Sequence, residues 1–205
     1  ALMIEKFAVG SLSTLGGSTN VDLDNKYIVI DISEMNEHLK ALGMFIALDF
    51  VWDKAKESCI QKKVIFMDEL WKLIGMAADY VLEIFKVIRG YGGSAIAATQ
   101  DISDFFALDD GKYGKAIINA SRIKFILQLE EDEAFTVQKH LSLSDEETMQ
   151  IIRNNRGEAL LCANRNKIVI DIKASPYIYN AITTKRSDLE KKRKRKMEER
   201  EQYDN

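Results

Sequence analysis

The stretch Lys63-Val64-Ile65-Phe66-Met67-Asp68-Glu69 decides the fold of this chain. Its four consecutive apolar residues are followed directly by two acidic residues. A short apolar run of this kind is typical of a strand that is buried on both faces, and such strands lie inside parallel sheets that helices cover. The run therefore predicts a central strand of a mainly parallel sheet, with Asp68 and Glu69 at its carboxyl end.

Strands and helices alternate on both sides of this run. The sequence predicts strands over residues 27–32, 95–99 and 123–127, helices over 36–57 and 77–88, and a short strand near 7–9 before a loop over 10–20. The repeated alternation indicates an α/β fold, with a mainly parallel sheet and helices on both of its faces.

The later part of the chain has a different pattern. Ser144-Asp145-Glu146-Glu147 is a capping box that predicts the start of a helix, and Gly157 is expected to end it. Residues 159–163 and 168–172 predict two strands of an antiparallel hairpin. Ser187-Asp188-Leu189-Glu190 is a second capping box, which predicts the start of a C-terminal helix.

Composition and charge limit the function classes. The 205 residues include 46% hydrophobic and 30% charged residues, which is typical of a globular protein. The net charge of −3 argues against a chain that binds nucleic acid through its overall charge. From Lys185 onward the chain has nine basic and six acidic residues, whereas the part before it is net acidic. We therefore expect a folded domain over 1–184 and a charged helix or tail over 185–205.

Cysteine and histidine do not form a metal motif. Cys59 and Cys162 lie far apart in the sequence, and His38 and His140 each lack a nearby cysteine or histidine. Zinc sites in proteins need such ligands at short, regular spacings. We therefore expect two reduced thiols and no metal at either histidine.

The two acids after the apolar run carry the strongest functional signal. Ligands of α/β sheets bind beyond the carboxyl ends of the strands, where carboxylates can hold a divalent cation and a water molecule. This is the pattern of a Walker B motif, in which Asp68 would anchor Mg²⁺ through water and Glu69 would orient the attacking water. The alternative is that both acids simply favour the amino end of the following helix.

A second strand adds two further candidate residues. Gln100 follows the predicted strand at 95–99, so its amide can sense a γ-phosphate or position a water molecule at the same sheet edge. Arg89 precedes this strand, where a helix ends. The alternatives are a solvated loop amide for Gln100 and a cation that interacts with the helix dipole for Arg89.

Three stretches together resemble a known family. They are Lys63 to Trp71, Ala97 to Ile102, and Arg153 to Leu161. In this order they resemble the VirB/Tra-type ATPases of type IV secretion and conjugative transfer, which are related to the FtsK-like DNA translocases. The resemblance covers residues from about 20 to 184.

The resemblance implies a RecA-like P-loop NTPase fold that uses ATP and Mg²⁺. It also implies a homo-oligomer, often a hexamer, at the cytoplasmic side of the bacterial inner membrane. There the family energises pilus assembly and substrate transfer with other type IV secretion components; direct contact with DNA is left open. By this resemblance Asp68 and Glu69 are the Walker B pair, Gln100 is the sensor glutamine, and Arg89 is an arginine finger for a neighbouring subunit. Arg156 lies in a further family motif without an assigned role.

One family motif is absent from the sequence. No Gly-x-x-x-x-Gly-Lys-Ser/Thr loop occurs, since Gly111-Lys112 is followed by Tyr113. We therefore expect the C-terminal portion of an ATPase domain, without the Walker A strand and loop and inactive alone. Two other readings remain: another FtsK-like motor, such as a DNA-pumping ATPase or coupling protein, and a non-catalytic assembly module of the same fold.

Overall fold

A computed structural model describes residues 25–100 and 102–203. The chain divides into two compact units, of which the first ends at Arg122 and the second begins at Ile123. Each unit is described by itself. The strand predicted near residues 7–9 and the loop predicted over 10–20 lie outside the described residues.

In its described residues, the first unit contains a parallel strand pair with four α-helices. Its elements are α1 (Glu37–Lys56), β1 (Lys63–Met67), α2 (Leu70–Val87), a 3₁₀ turn (Ile88–Tyr91), β2 (Gly93–Ala97), α3 (Ile102–Ala107), a 3₁₀ turn (Leu108–Gly111) and α4 (Lys112–Ala120). β1 and β2 pair in parallel, with Lys63 opposite Gly93 and Met67 opposite Ala97. This pair confirms the parallel arrangement that the sequence predicted around the apolar run.

Helix α2 begins earlier than the sequence predicted, at Leu70 rather than Ala77. Ala77 interrupts it with φ −144° and ψ 44°, so the pattern of buried residues changes phase within the helix. Leu70 and Ile74 are buried before the interruption, and Val81 is buried after it. A search for one continuous apolar stripe therefore finds only the second half of the helix.

The core of the first unit lies on one face of the strand pair. Helices α1 and α2 supply most of its buried side chains, among them Trp52, Ile74 and Val81. Along β1, Met67 contributes to this core, whereas Val64 and Phe66 on the opposite face are 64% and 62% exposed. Within the described residues, helices thus cover one face of this pair, whereas the sequence predicted helices on both.

The strand predicted over 27–32 is wrong. Residues 28–32 have no regular secondary structure, and Tyr27 is 85% exposed. A strand forms only where a neighbouring strand completes its hydrogen bonds, and β-branched residues favour a strand only weakly without that pairing. No strand pairs with this segment in the part of the chain that the structure describes.

The second unit contains an antiparallel sheet with helices. Its elements are β3 (Ile123–Ile126), α5 (Glu131–Leu141), α6 (Asp145–Arg153), β4 (Glu158–Ala163), β5 (Asn166–Asp171), α7 (Pro176–Ile182) and α8 (Arg186–Tyr203). The strand order is β3-β4-β5. β4 and β5 form the predicted hairpin, and Asn164 in its turn adopts a left-handed φ of 57°. These elements confirm the α/β class with a C-terminal hairpin.

The first predicted capping box is confirmed at the start of α6. Ser144 Oγ accepts a hydrogen bond from the Glu147 backbone N–H at 3.2 Å, and Glu147 Oε2 accepts one from the Ser144 N–H at 2.9 Å. Lys167 Nζ on β5 lies 2.7 Å from the same carboxylate oxygen. Partial burial works to raise the pKa of Glu147, but the bonds from Lys167 and the Ser144 backbone outweigh it and lower that pKa.

The other two predicted helix signals are wrong. Helix α6 ends at Arg153, and Gly157 lies beyond it with φ 98°, directly before β4. Ser187 lies inside α8, which already begins at Arg186. A serine followed by an acid three residues later caps a helix only where the serine backbone itself is extended, as it is at Ser144.

The two capping-box sequences allow a matched stability test. We expect Ser144→Ala to lower the free energy of unfolding by about 1 kcal/mol, because it leaves a backbone N–H of α6 without its acceptor. Ser187→Ala has the same chemical change within a helix, and alanine is the better helix former, so we expect no loss there. Urea denaturation of both variants checks the difference. Equal losses would contradict the assigned helix starts.

Candidate functional site

Polar side chains meet where the two parallel strands end. Beyond the last strand pair, the Ala98 N–H donates to the Met67 carbonyl, and the Leu70 N–H donates to the Ala98 carbonyl, both at 2.9 Å. These two bonds join the segments that follow β1 and β2. The segment after β1 carries Asp68 and Glu69, and the segment after β2 carries Gln100. The carboxyl ends of β1 and β2 therefore lie side by side, as the sequence predicted.

Glu69 has an unusual backbone conformation. Its φ of 50° and ψ of 49° lie in the left-handed region, which is uncommon for a residue other than glycine. Glu69 occupies the position before α2, but its side chain makes no capping hydrogen bond, and the first turn of α2 has no acidic residue. Glu69 therefore does not cap α2 through a hydrogen bond, although both acids lie at the amino end of this helix, where its dipole favours negative charge.

Two donors from different segments hold the Glu69 carboxylate. Gln100 Nε2 donates to Glu69 Oε1 at 3.1 Å, and Trp71 Nε1 donates to Glu69 Oε2 at 2.6 Å. The contact between Glu69 and Gln100 joins the ends of two strands, and the two residues are 31 residues apart in sequence. Sequence reasoning predicted the proximity of Glu69 and Gln100 but missed Trp71, although Trp71 lies within the stretch that carries the family resemblance.

Asp68 offers an oxygen to a cation. Its Oδ1 accepts the Glu69 backbone N–H at 3.0 Å, and its side chain is exposed. Among the described residues, no cluster of three or more histidine, cysteine or acidic side chains could enclose a metal ion. One exposed carboxylate fits Mg²⁺, which keeps several waters and is commonly held by one or two carboxylates with substrate phosphates. The donor set of Asp68 therefore fits the magnesium ion that the family implies.

Arg89 lies at the opposite end of β2. It is exposed within the 3₁₀ turn that precedes the strand, whereas Gln100 follows the strand. Five strand residues at about 3.3 Å each separate the two ends by about 16 Å. Within the described ranges, no hydrogen bond or ion pair engages its guanidinium. Arg89 and the Glu69 site are therefore not brought together within one chain.

Arg156 belongs to the second unit. It is exposed in the turn between α6 and β4, and the geometry assigns it no role.

Between residues 25 and 203, position 101 excepted, no helix has both the length and the hydropathy that a membrane crossing needs.

Comparisons with known proteins found a matching family model and similar solved structures. The family model described as the TraG P-loop domain matches residues 11–202. The solved structure of VirB4 of Thermoanaerobacter pseudethanolicus is similar, with 29% sequence identity and a TM-score of 0.76. The similarity covers 86% of this chain and 49% of that one, so this chain spans about half the length of the VirB4 chain. No curated protein matches the sequence significantly.

Proposed function

Because the chain belongs to the TraG P-loop domain family, we propose that it is the Walker B portion of an ATPase motor for conjugative transfer or type IV secretion. The observation that carries this proposal is the hydrogen bond between Glu69 and Gln100 across the ends of two parallel strands. A strand pair of this kind gives a P-loop ATPase the side chains that face the terminal phosphate and the attacking water.

Each residue at this edge has a separate task in the proposal. Asp68 anchors the magnesium ion through water, and Glu69 accepts a hydrogen bond from the attacking water and so orients it. Gln100 reaches the same space from β2 and senses the terminal phosphate. When bound, Mg²⁺ would neutralise part of the phosphate charge. The exposed Arg89, at the far end of β2, serves the nucleotide of a neighbouring subunit.

The parent protein acts, in this proposal, as a homo-oligomer, often a hexamer, at the cytoplasmic face of the bacterial inner membrane. ATP hydrolysis there energises pilus assembly and substrate transfer together with other secretion components. The exposed apolar side chains Val64, Phe66 and Ile96 support a larger parent domain that covers this face of the strand pair. In this proposal residues 1–184 belong to that domain, and 185–205 are its charged C-terminal helix or tail.

The proposed function can be tested because the main phosphate-binding motif of P-loop ATPases is absent from this chain. Most phosphate contacts in P-loop ATPases come from the loop backbone and its lysine, and that motif is absent from these 205 residues. We expect calorimetry to detect Mg-ATP binding by the full-length parent but none tighter than about millimolar by this chain alone. The reason is that the loop and its lysine are missing, and Asp68 and Glu69 repel phosphate wherever Mg²⁺ does not lie between them. We also expect the isolated chain to self-associate in light scattering, because an apolar sheet face and strand edges are uncovered within its described residues.

Three outcomes would contradict the proposal in different ways. Micromolar ATP binding by a monomer of this chain would mean that the nucleotide site lies elsewhere. A full-length parent that binds no Mg-ATP would favour the non-catalytic assembly module. ATP hydrolysis that depends on added DNA would instead favour an FtsK-like DNA pump.

A further inference from the structure

We propose that Trp71 is a positioning residue that holds the Glu69 carboxylate in the orientation needed for hydrolysis. This inference rests on the proposed function, because it assigns a task to Trp71 only if Glu69 orients the attacking water. The observation behind it is the hydrogen bond of 2.6 Å from Trp71 Nε1 to Glu69 Oε2. A bond of this length to a charged acceptor belongs to the strong class of hydrogen bonds.

The backbone at Glu69 makes this contact geometrically feasible. Residues two apart on a helix do not face each other, so Glu69 and Trp71 could not meet if both were helical. The left-handed conformation of Glu69 removes it from the helical path, while Trp71 lies in the first turn of α2. A left-handed conformation is unfavourable for a residue other than glycine. At Glu69 the chain keeps this conformation, and the conformation creates the pair with Trp71.

Neighbouring contacts restrict the movement of the indole ring. Leu70, between the two partners, is only 1% exposed, and its N–H is bonded to the Ala98 carbonyl. Trp71 is half-buried, and the Lys72 ammonium lies 5.1 Å from its ring centroid. The indole thus projects from a well-anchored first turn of α2, so its N–H can donate from a defined position.

The two donors on Glu69 have different mobility. Trp71 presents its N–H from this fixed turn, whereas Gln100 is an exposed side chain on a loop. If Gln100 turns toward a phosphate, Oε1 of Glu69 becomes available to water while Oε2 stays bonded to Trp71. The indole has no acceptor atom, so it holds the carboxylate without competing for the water proton. Trp71 thereby holds Oε2 of Glu69 in place, while the position of Gln100 determines whether Oε1 is free to accept a water proton.

A double-mutant cycle in the full-length parent tests this role kinetically. We expect Trp71→Phe to lower kcat by about ten- to a hundredfold, with KM for Mg-ATP changed by less than about twofold, since one bond to a charged group is lost. In a Glu69→Gln background, single-turnover measurements should show that Trp71→Phe has almost no further effect. The matched control is Tyr80→Phe, which removes a 2.8 Å bond from α2 to Asp49, away from the site, and should leave kcat unchanged.

A spectroscopic measurement tests the contact without nucleotide. The chain contains two tryptophans, so Trp52→Phe leaves Trp71 as its only indole. Ultraviolet resonance Raman bands of indole report the strength of the N–H hydrogen bond in assemblies of any size. Adding Glu69→Ala should shift that band toward weaker hydrogen bonding.

The outcomes separate this inference from the proposed function. Wild-type turnover in Glu69→Gln would overturn the proposed function and the task of Trp71 with it. An equal loss from Trp71→Phe in both backgrounds, or an indole band unchanged by Glu69→Ala, would overturn only the role of Trp71. If Trp71→Phe raises KM for Mg-ATP and also lowers kcat, the result would likewise favour a merely structural role for Trp71.

Discussion

Glu69→Gln in the full-length parent should abolish most of the ATP turnover that the proposed function assigns to it, while it leaves Mg-ATP binding intact. A positioned carboxylate that accepts a hydrogen bond from the attacking water contributes roughly 10²–10⁴-fold to the rate. Glutamine has the same shape, and its carbonyl oxygen can still accept the hydrogen bond from Trp71, so the local fold should be preserved. Steady-state hydrolysis and calorimetry of the same preparation measure the two properties separately.

The control for this substitution is Glu83→Gln. Glu83 is an exposed acid on α2, the helix that follows Glu69. The Glu83→Gln variant should therefore hydrolyse ATP at the wild-type rate. If Glu69→Gln hydrolyses ATP as fast as the wild type, the Walker B assignment is wrong. If it loses ATP binding as well as turnover, Glu69 contributes to the cation site and not to the water.

The sequence was sufficient to predict which residues meet at the sheet edge. Four apolar residues before Asp68 and Glu69, and a strand that ends before Gln100, predict two neighbouring parallel strands whose polar ends coincide. The 3.1 Å bond between Glu69 and Gln100 is the direct consequence of that register. Parallel pairing makes this prediction robust, because all carboxyl ends lie on one side of the sheet.

Contacts that depend on backbone conformation could not be predicted in this way. Trp71 reaches Glu69 only because Glu69 is left-handed, and residues at this spacing in a helix do not touch. Similarly, Ser144 and Ser187 precede an acid at the same spacing, but only Ser144 has the extended backbone that a cap needs. In both cases the residue types were visible in the sequence, whereas the backbone dihedral angle that gives them a role was not.

Arg89→Ala should depress ATP hydrolysis in the assembled oligomer by roughly 10³–10⁵-fold, the range measured for arginine fingers supplied by a neighbouring protein. The structural basis is that Arg89 is exposed at the end of β2 opposite to the Glu69 edge. In the proposed function the nucleotide lies at the Glu69 edge, so Arg89 would serve the nucleotide of a neighbour in a head-to-tail ring and not that of its own chain. Hydrolysis by the assembled protein, at a concentration that maintains the oligomer, measures the effect.

Mixing experiments and a matched control distinguish two roles for Arg89: an arginine finger, and a cation that only interacts with the helix dipole. Equal mixing of Arg89→Ala and Glu69→Gln subunits should restore up to about a quarter of wild-type activity, because that share of head-to-tail interfaces combines an intact Glu69 with an intact Arg89. Lys86→Ala removes another exposed cation from the last turn of α2 and should leave hydrolysis near wild type. If Arg89 only interacts with the helix dipole, both substitutions should reduce stability by about 0.3–1 kcal/mol, and mixing should rescue nothing.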